Sequence, residues 1–334
     1  MPKLKCVDLF SGIGGNALAL RSILQTVAFC EIDPFARSVL DRKIKNKQLD
    51  DATIFPDVTK LKARDIPQLP DVITASFPCQ DISSAGTGDG LSGERSGLVS
   101  HVLRLVDEFE RELKHRVKFV FMENSAMIRT RGLKSLVAKL RARKFNCVWC
   151  DVSGAGVGAR HVRRRWFMLA SREGLHAPQA DIYKHDFNKL DTIPRLIRTT
   201  DPVLRKDSRN RFSALGNAVV PKAVSVAWNV LSEAKTTGDL GGDKRMEPTW
   251  PESLYNTGEK RHYWPTPVHT ERHWYPTTKK VGRHFNMFAT RVFHELGTKK
   301  EFKYTDIAKA RLALMLNPNW VENLMGYPPN WTKP

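Results

Sequence analysis

The sequence has no apolar run approaching the ~18 residues that a membrane-spanning helix needs. Nothing in it reads as a signal peptide or an internal repeat, so no membrane partner is expected. Cysteine is scarce. Cys6, Cys30, Cys79, Cys147 and Cys150 form no even ladder, which argues against a disulfide framework and for a reducing, cytoplasmic setting. Cys147 and Cys150 make a lone CxxC inside an apolar run, with no second pair and no histidine spacing beside it. Strand residues are expected there, and no metal. Two nucleotide signatures are missing as well: GxGxxG, and a glycine loop ending in Lys-Ser/Thr. Dinucleotide and P-loop chemistry are set aside on that ground. Acids are short too. There are 35 Asp and Glu against 54 Lys and Arg, a formal net charge of +19 that points to a polyanionic partner.

What is present begins with length: 334 residues, 41% hydrophobic, enough for one large domain and a smaller one. Leu4 to Phe10 reads as a strand. The turn Ser11-Gly12-Ile13-Gly14-Gly15 follows, then helical spacing from Asn16 to Leu24. Strand, glycine turn and helix together suit a nucleotide-like cofactor, because glycines let backbone approach the ligand and a helix start offers free N–H groups. Val27 to Asp33 reads as a second strand ending in acids, with Glu31 about where an acid takes ribose hydroxyls. Adenosine without a pyrophosphate fits this pattern, and S-adenosylmethionine is one such cofactor. A helix is expected over 34–45. Ile54 to Val58 is a third strand end, where Asp57 either accepts from an adenine amino group or caps the next segment.

Asp71 to Ala75 reads as a buried fourth strand leading into Ser76-Phe77-Pro78-Cys79-Gln80. A cysteine leaving the carboxyl edge of an α/β sheet stands where ligands bind. Free cysteines are usually inert, but this position, with polar flanks and a glycine/serine stretch behind it, favours a nucleophile. Helical periodicity runs from Ser96 to Leu113. Val117 to Met122 is a fifth strand, ending in Glu123-Asn124-Ser125, with Glu123 at its carboxyl end a candidate acid on the same rim. From Arg129 to Lys144 there are seven Lys/Arg and no acid, around a stripe of Leu133, Leu136, Val137 and Leu140; a phosphate-facing surface is as good a reading as a solvated helix face. Two more strands are expected over 146–152 and 166–170, with Arg163 and Arg165 between them on one face, placed to hold a base, a phosphate or a carboxylate. No strong period is seen from Leu175 to Arg211. An apolar helix is expected over 222–234, then a glycine-rich linker. Residues 236–334 hold five of the eight tryptophans and five of the ten histidines, as in a small loop-rich domain.

Taken together these stretches resemble the DNA (cytosine-5)-methyltransferase family over most of residues 3–221. The motifs are Asp8-Leu9-Phe10-Ser11-Gly12-Ile13-Gly14-Gly15, Pro78-Cys79-Gln80, Gly93 to Leu98, Glu123-Asn124, His161-x-Arg163-x-Arg165 and Gly216-Asn217-Ala218-Val219. Ser125 stands where the family has valine, and His161 where it has glutamine. Only about 50 residues separate Arg165 from Gly216, too few for the recognition domain the family carries there. Asn317 to Pro328 resembles the family's penultimate motif. The resemblance therefore implies that the recognition region lies behind the catalytic domain: 1–235 catalytic, 236–243 a linker, and 244–334 recognition with the displaced motif, with 240–316 reading the target.

The fold implied is α/β, a Rossmann-like methyltransferase with a mixed sheet and helices on both faces. The implied reaction is methyl transfer from S-adenosylmethionine to C5 of cytosine in double-stranded DNA. By resemblance Cys79 attacks C6, Glu123 holds N3, Arg163 and Arg165 orient Glu123 and the base, and Asn124 braces the Cys79 loop. Phe10, Ser11, Gly12, Ile13, Gly14, Gly15, Glu31, Ile32, Asp57, Val58, Pro78, Asn217 and Val219 would line the cofactor pocket. A monomer of prokaryotic or phage origin, in a restriction–modification setting, is expected. A tRNA cytosine-5 methyltransferase and a catalytically silent nucleic-acid-binding module are the rival readings.

Overall fold

The computed structural model describes residues 2–78, 97–193, 196–198, 202–234 and 314–334. Cys79, the glycine/serine stretch behind it, and residues 235–313 lie outside the described residues. Seven strands make one sheet: β1 (Leu4–Leu9), β2 (Leu24–Cys30), β3 (Thr53–Phe55), β4 (Val72–Ala75), β5 (Phe119–Asn124), β6 (Phe145–Ser153) and β7 (Arg164–Arg172). Their order across the sheet is β3-β2-β1-β4-β5-β7-β6. The first five run parallel, and β7 lies antiparallel between β5 and β6. This is the mixed α/β sheet, helices on both faces, that the family resemblance implies. The central strands are buried on both sides, which is why they read as continuous apolar runs rather than alternating ones.

Helices return the chain between parallel strands: α1 (Gly15–Leu20), α2 (Pro34–Lys45), α3 (Leu98–Glu112), α4 (Ile128–Arg131) and α5 (Leu133–Arg141). The bounds of α2 follow from local chemistry. Asp33 accepts from the Ala36 N–H at its start, Pro34 fills the first turn, and basic residues close the last. On one face of the sheet α3 buries Val102, Leu105, Val106 and Phe109, and α5 buries Leu133, Leu136 and Leu140. The other face carries α1, α2 and two later helices, α6 (Pro202–Asn217) and α7 (Pro221–Glu233). The sequence gives no strong period over most of α6, whose buried side chains among the described residues are few: Phe212 and Leu215, with Ser208 and Arg211. Cys147 and Cys150 both lie on β6 and pack into the cores on opposite faces of the sheet. Side chains three apart on a strand diverge in this way and cannot share one ion.

A last helix, α8 (Pro318–Met325), belongs to the same core. Asn317 caps it through the Asn319 N–H, and Gly326 ends it in the left-handed conformation at φ 84. Ahead of it, β9 (Leu314–Leu316) pairs antiparallel with β8 (Leu196–Arg198). Trp320, Tyr327 and Trp331 are fully buried. Aromatics of this size bury on the order of 150–250 Å² each, so at ~25 cal/mol/Å² their docking contributes several kcal/mol per ring as an upper figure. A buried ion pair fixes the register: Arg211 of α6 reaches Glu322 Oε1 at 2.8 Å, Asn319 Oδ1 at 2.6 Å and Thr332 Oγ1 at 2.9 Å. The backbone N–H of Thr332 donates to the same Glu322 oxygen.

Removing one partner of such a pair leaves a buried charge uncompensated. Arg211→Ala is expected to cost about 3–5 kcal/mol of stability, measured as a fall in the denaturant midpoint. The double variant R211M/E322L should recover most of that loss. A single variant that unfolds at the parent's midpoint would show that the pair does not hold the last helix.

Candidate functional site

Two groups of side chains meet at the carboxyl edge of the sheet. The first surrounds the turn after β1. Phe10 adopts φ 55, a conformation uncommon outside glycine, and Gly12 and Gly14 follow at φ 53 and φ 81. The Ser11 hydroxyl donates to the Asp8 carbonyl at 2.6 Å and accepts from the Cys30 N–H, tying the turn to β2. Glu31, just past β2, accepts the Gly12 N–H on Oε2 at 2.7 Å and the Asp33 N–H on Oε1 at 2.8 Å. Burial raises its pKa above the usual carboxylate value while those backbone donors oppose the shift. Next to it Ile32 is 72% exposed, an apolar side chain standing in solvent beside the turn. A Cβ on Gly12 would meet none of the described residues within 4 Å, so among them the space in front of the turn is open.

Behind the turn there is no room at all. A Cβ on Gly15 would lie 2.4 Å from the Tyr327 hydroxyl and 2.4 Å from Val219 Cγ2. Tyr327 donates to the Val219 carbonyl at 3.0 Å, and Trp331 Nε1 donates to the Ile13 carbonyl at 2.8 Å. Ile13, Val219 and Val58 are buried, whereas Asn217 is exposed at the end of α6. Asp57 accepts both the N–H and the hydroxyl of Thr59, which hold its carboxyl below the ordinary range. It caps a turn two residues past β3.

The second group centres on Glu123. The sequence pattern puts this residue at the carboxyl end of the strand, and the structure has it there in β5, paired with Phe167 of β7. Arg165 Nε lies 3.0 Å from Glu123 Oε1, and the Ser76 hydroxyl is hydrogen-bonded to the same carboxyl group. Burial raises the Glu123 pKa; the charges of Arg165 and Arg163 and the two hydrogen bonds pull the other way. Arg163 is buried and donates to the Gly216 carbonyl at 2.9 Å. The Asn124 amide donates to the Phe77 carbonyl at 3.1 Å, two residues before Cys79, and Pro78 lies half-buried between them. Cys79 itself is outside the described residues. His161 is buried, accepts the Arg163 N–H on Nδ1, and is pushed down to about 3 by desolvation, so it is neutral.

A network that the sequence does not suggest links the two groups. Asp8 is fully buried on β1, directly opposite Thr74 of β4. The Thr74 hydroxyl and the Asn16 amide both donate to Asp8 Oδ1, and the same amide donates to Ser76 Oγ at 3.1 Å. Ser76 then meets Glu123. The chain Asp8–Asn16–Ser76–Glu123 therefore runs from beneath the glycine turn to the acid. Burial pushes the Asp8 carboxyl up to about 6, against the donors. The one available signal was a charged residue inside an apolar strand.

Residues 4–334 match the family model described as C-5 cytosine-specific DNA methylase. Among curated relatives, the Type II methyltransferase M.CviJI of Paramecium bursaria Chlorella virus IL3A is 32% identical over 256 residues, 75% of this chain and 62% of that protein. The Type II methyltransferase M2.BsuMI of Bacillus subtilis (strain 168) is 32% identical over 193 residues, covering 56% of this chain and 46% of that one. The chain thus spans less than two thirds of the length of these relatives. A solved Entamoeba histolytica methyltransferase aligns at 18% identity with a TM-score of 0.47, over 62% of this chain and 67% of that chain.

The raised carboxyl of Asp8 has a measurable consequence. Unfolded, it ionises near 3.8; folded, near 6. Its contribution is present in full below pH 4 and is lost as pH rises through 6, about 3 kcal/mol in all. Asp8→Asn should remove that slope. Unfolding free energies of parent and variant, measured from pH 4 to 7, should converge at the acid end and separate in the variant's favour above pH 6. Parallel curves would contradict this account of Asp8.

Proposed function

Because the chain belongs to the C-5 cytosine-specific DNA methylase family, we propose that it transfers a methyl group from S-adenosylmethionine to C5 of cytosine in double-stranded DNA. The observation that supports this reading most is the placing of Glu123. It is a buried carboxyl with a raised pKa, gripped by Arg165 and Ser76, on the edge where Asn124 holds the backbone leading to Cys79. Cytosine C5 is a poor nucleophile. The Cys79 thiolate attacks C6, and Glu123 holds N3 and supplies its proton, so that electron density builds at C5. Arg165 fixes the plane of the carboxyl group. Arg163, through the Gly216 carbonyl, anchors the last motif beside it. After transfer a base removes the C5 proton and Cys79 leaves by elimination. The target base is out of reach inside a duplex and is flipped out, at a cost of a few kcal/mol.

The residues around the glycine turn fit the cofactor. The open side of Gly12 admits a ligand, Glu31 has acceptor capacity left for ribose hydroxyls, and the exposed Ile32 and the strained Phe10 offer apolar surface to adenine. Ser11, Gly12, Ile13, Gly14, Gly15, Asp57, Val58, Pro78, Asn217 and Val219 complete this assignment. When bound, S-adenosylmethionine supplies an electrophilic methyl group. Residues 1–235 form the catalytic part, 236–243 a linker and 244–334 the recognition part; 240–316 read the target, and the displaced motif from 317 onward supports the turn through Tyr327 and Trp331. The two relatives named above are Type II methyltransferases, and we assign this chain the same restriction–modification role, as a cytoplasmic monomer.

Cys79→Ser should abolish methyl transfer and leave cofactor binding nearly intact, and only the parent should form a covalent adduct on duplex DNA containing 5-fluorocytosine. Undiminished product from the serine variant would remove Cys79 from the mechanism. Labelled methyl reaching tRNA but not duplex DNA would overturn the substrate. Glu123→Gln keeps the shape but has no proton to pass on, and kcat should fall about 10²- to 10⁴-fold. In the parent the rate should decline as pH rises through the Glu123 pKa. A glutamine variant as fast as the parent would exclude proton transfer by this residue.

A further inference from the structure

A second charged cluster occupies the same edge of the sheet, on the other face of β7. Asp151 of β6 is only 8% exposed. Arg129 Nη1 from α4 reaches its Oδ2 at 2.8 Å, and Arg164 Nη2 from β7 reaches the same oxygen at 2.9 Å. Oδ1 is buried and accepts no hydrogen bond among the described residues. One carboxylate thus carries two guanidinium groups, and the cluster keeps a net positive charge. For the fold a single arginine suffices, since Arg129 ties α4 to β6 and compensates the buried charge. Arg164 is 49% exposed, and an ion pair so wet adds little stability.

Strand alternation puts Arg164 on the opposite side of β7 from Arg163 and Arg165. Across the ladder Asn124, Trp166 and Asp151 are successive partners. Asp151 therefore lies two strand spacings, about 10 Å, from Asn124 at the Glu123 site. From the residue after Arg129 to Lys144 the sequence supplies only basic charges. Two adjacent guanidiniums repel each other unless an anion stands between them, and Asp151 provides it. The ordering cost is met when the protein folds, not when it binds.

We propose that Arg129 and Arg164, held together by Asp151, clamp a backbone phosphate of duplex DNA beside the flipped cytosine. This rests on the methyltransferase reading above. Each guanidinium spends one nitrogen on Asp151 and has further N–H donors in a planar fork, the geometry that suits phosphate oxygens. Such a contact fixes the register of the duplex and reads no sequence. It steadies the strand while one nucleotide leaves the stack.

The test is the salt dependence of equilibrium binding between the full chain and a random-sequence DNA duplex. Each phosphate contact contributes about 0.9 to the slope of log K against log salt. Arg164→Gln leaves the Arg129–Asp151 pair in place and should reduce that slope by about one. A fourfold rise in salt would then cost the variant about 3.5-fold less affinity than it costs the parent. At low salt the variant should bind several-fold more weakly whatever the sequence, with an unchanged melting temperature. Arg164→Lys should keep the parent slope. A parent that binds duplex DNA, with slope and affinity untouched by Arg164→Gln and by a second change, Arg164→Glu, would overturn the clamp and leave the methyltransferase reading standing. A parent that binds no duplex DNA would overturn both.

Discussion

The glycine turn after β1 is held from behind, and everything at the carboxyl edge depends on that support. Gly15 has no side chain because the Tyr327 hydroxyl and Val219 already fill the place where one would project. Trp331 reaches the Ile13 carbonyl from the same side. With its rear wall made of these aromatic rings, the turn can bear an unfavourable backbone at Phe10 and still present its open side forward. Glu31 locks the front through the Gly12 N–H. A side chain at position 15 would disturb the glycine turn, α1 and the last helix together.

The second constraint is electrostatic. Two carboxyl groups, Asp8 and Glu123, are buried within one hydrogen-bonded chain, and both are pushed upward by desolvation. Their surroundings differ. Glu123 faces Arg165 and Arg163, whereas the Asp8 carboxyl is met by the neutral donors Thr74 and Asn16. Charge can therefore be tolerated at the edge and is resisted beneath the turn. Asn16 and Ser76 pass orientation between the two without passing charge.

Much of this architecture is legible in the amino-acid order. Helical periodicity locates α3, and the short apolar runs locate the strands, because those elements bury one stripe or two faces and say so locally. Strand then glycine turn, and strand then acid, place Gly12, Glu31 and Glu123 on one rim without any coordinates. Three things were hidden. The helix α6 buries few of the described residues and shows no strong period. The antiparallel pairing of β7 with Glu123 and Asn124 at the end of β5 is another, since pairing is not a local property. The Asp8–Asn16–Ser76 chain draws on β1, α1 and the loop after β4, and only the parallel register that sets Asp8 against Thr74 brings them together. Side chains from distant segments leave no periodic trace.

Ile13 and Trp331 stand 318 positions apart, yet their contact closes the wall behind the turn. At the ~5–20 residues per second of ribosomal synthesis, the first partner waits roughly 15 to 60 seconds for the second to be made. Until then the emerging amino-terminal segment carries an unbacked turn with apolar surface bare to solvent. Competence thus arrives late and all at once, a property of translation order that a sheet closed by neighbouring segments would not have.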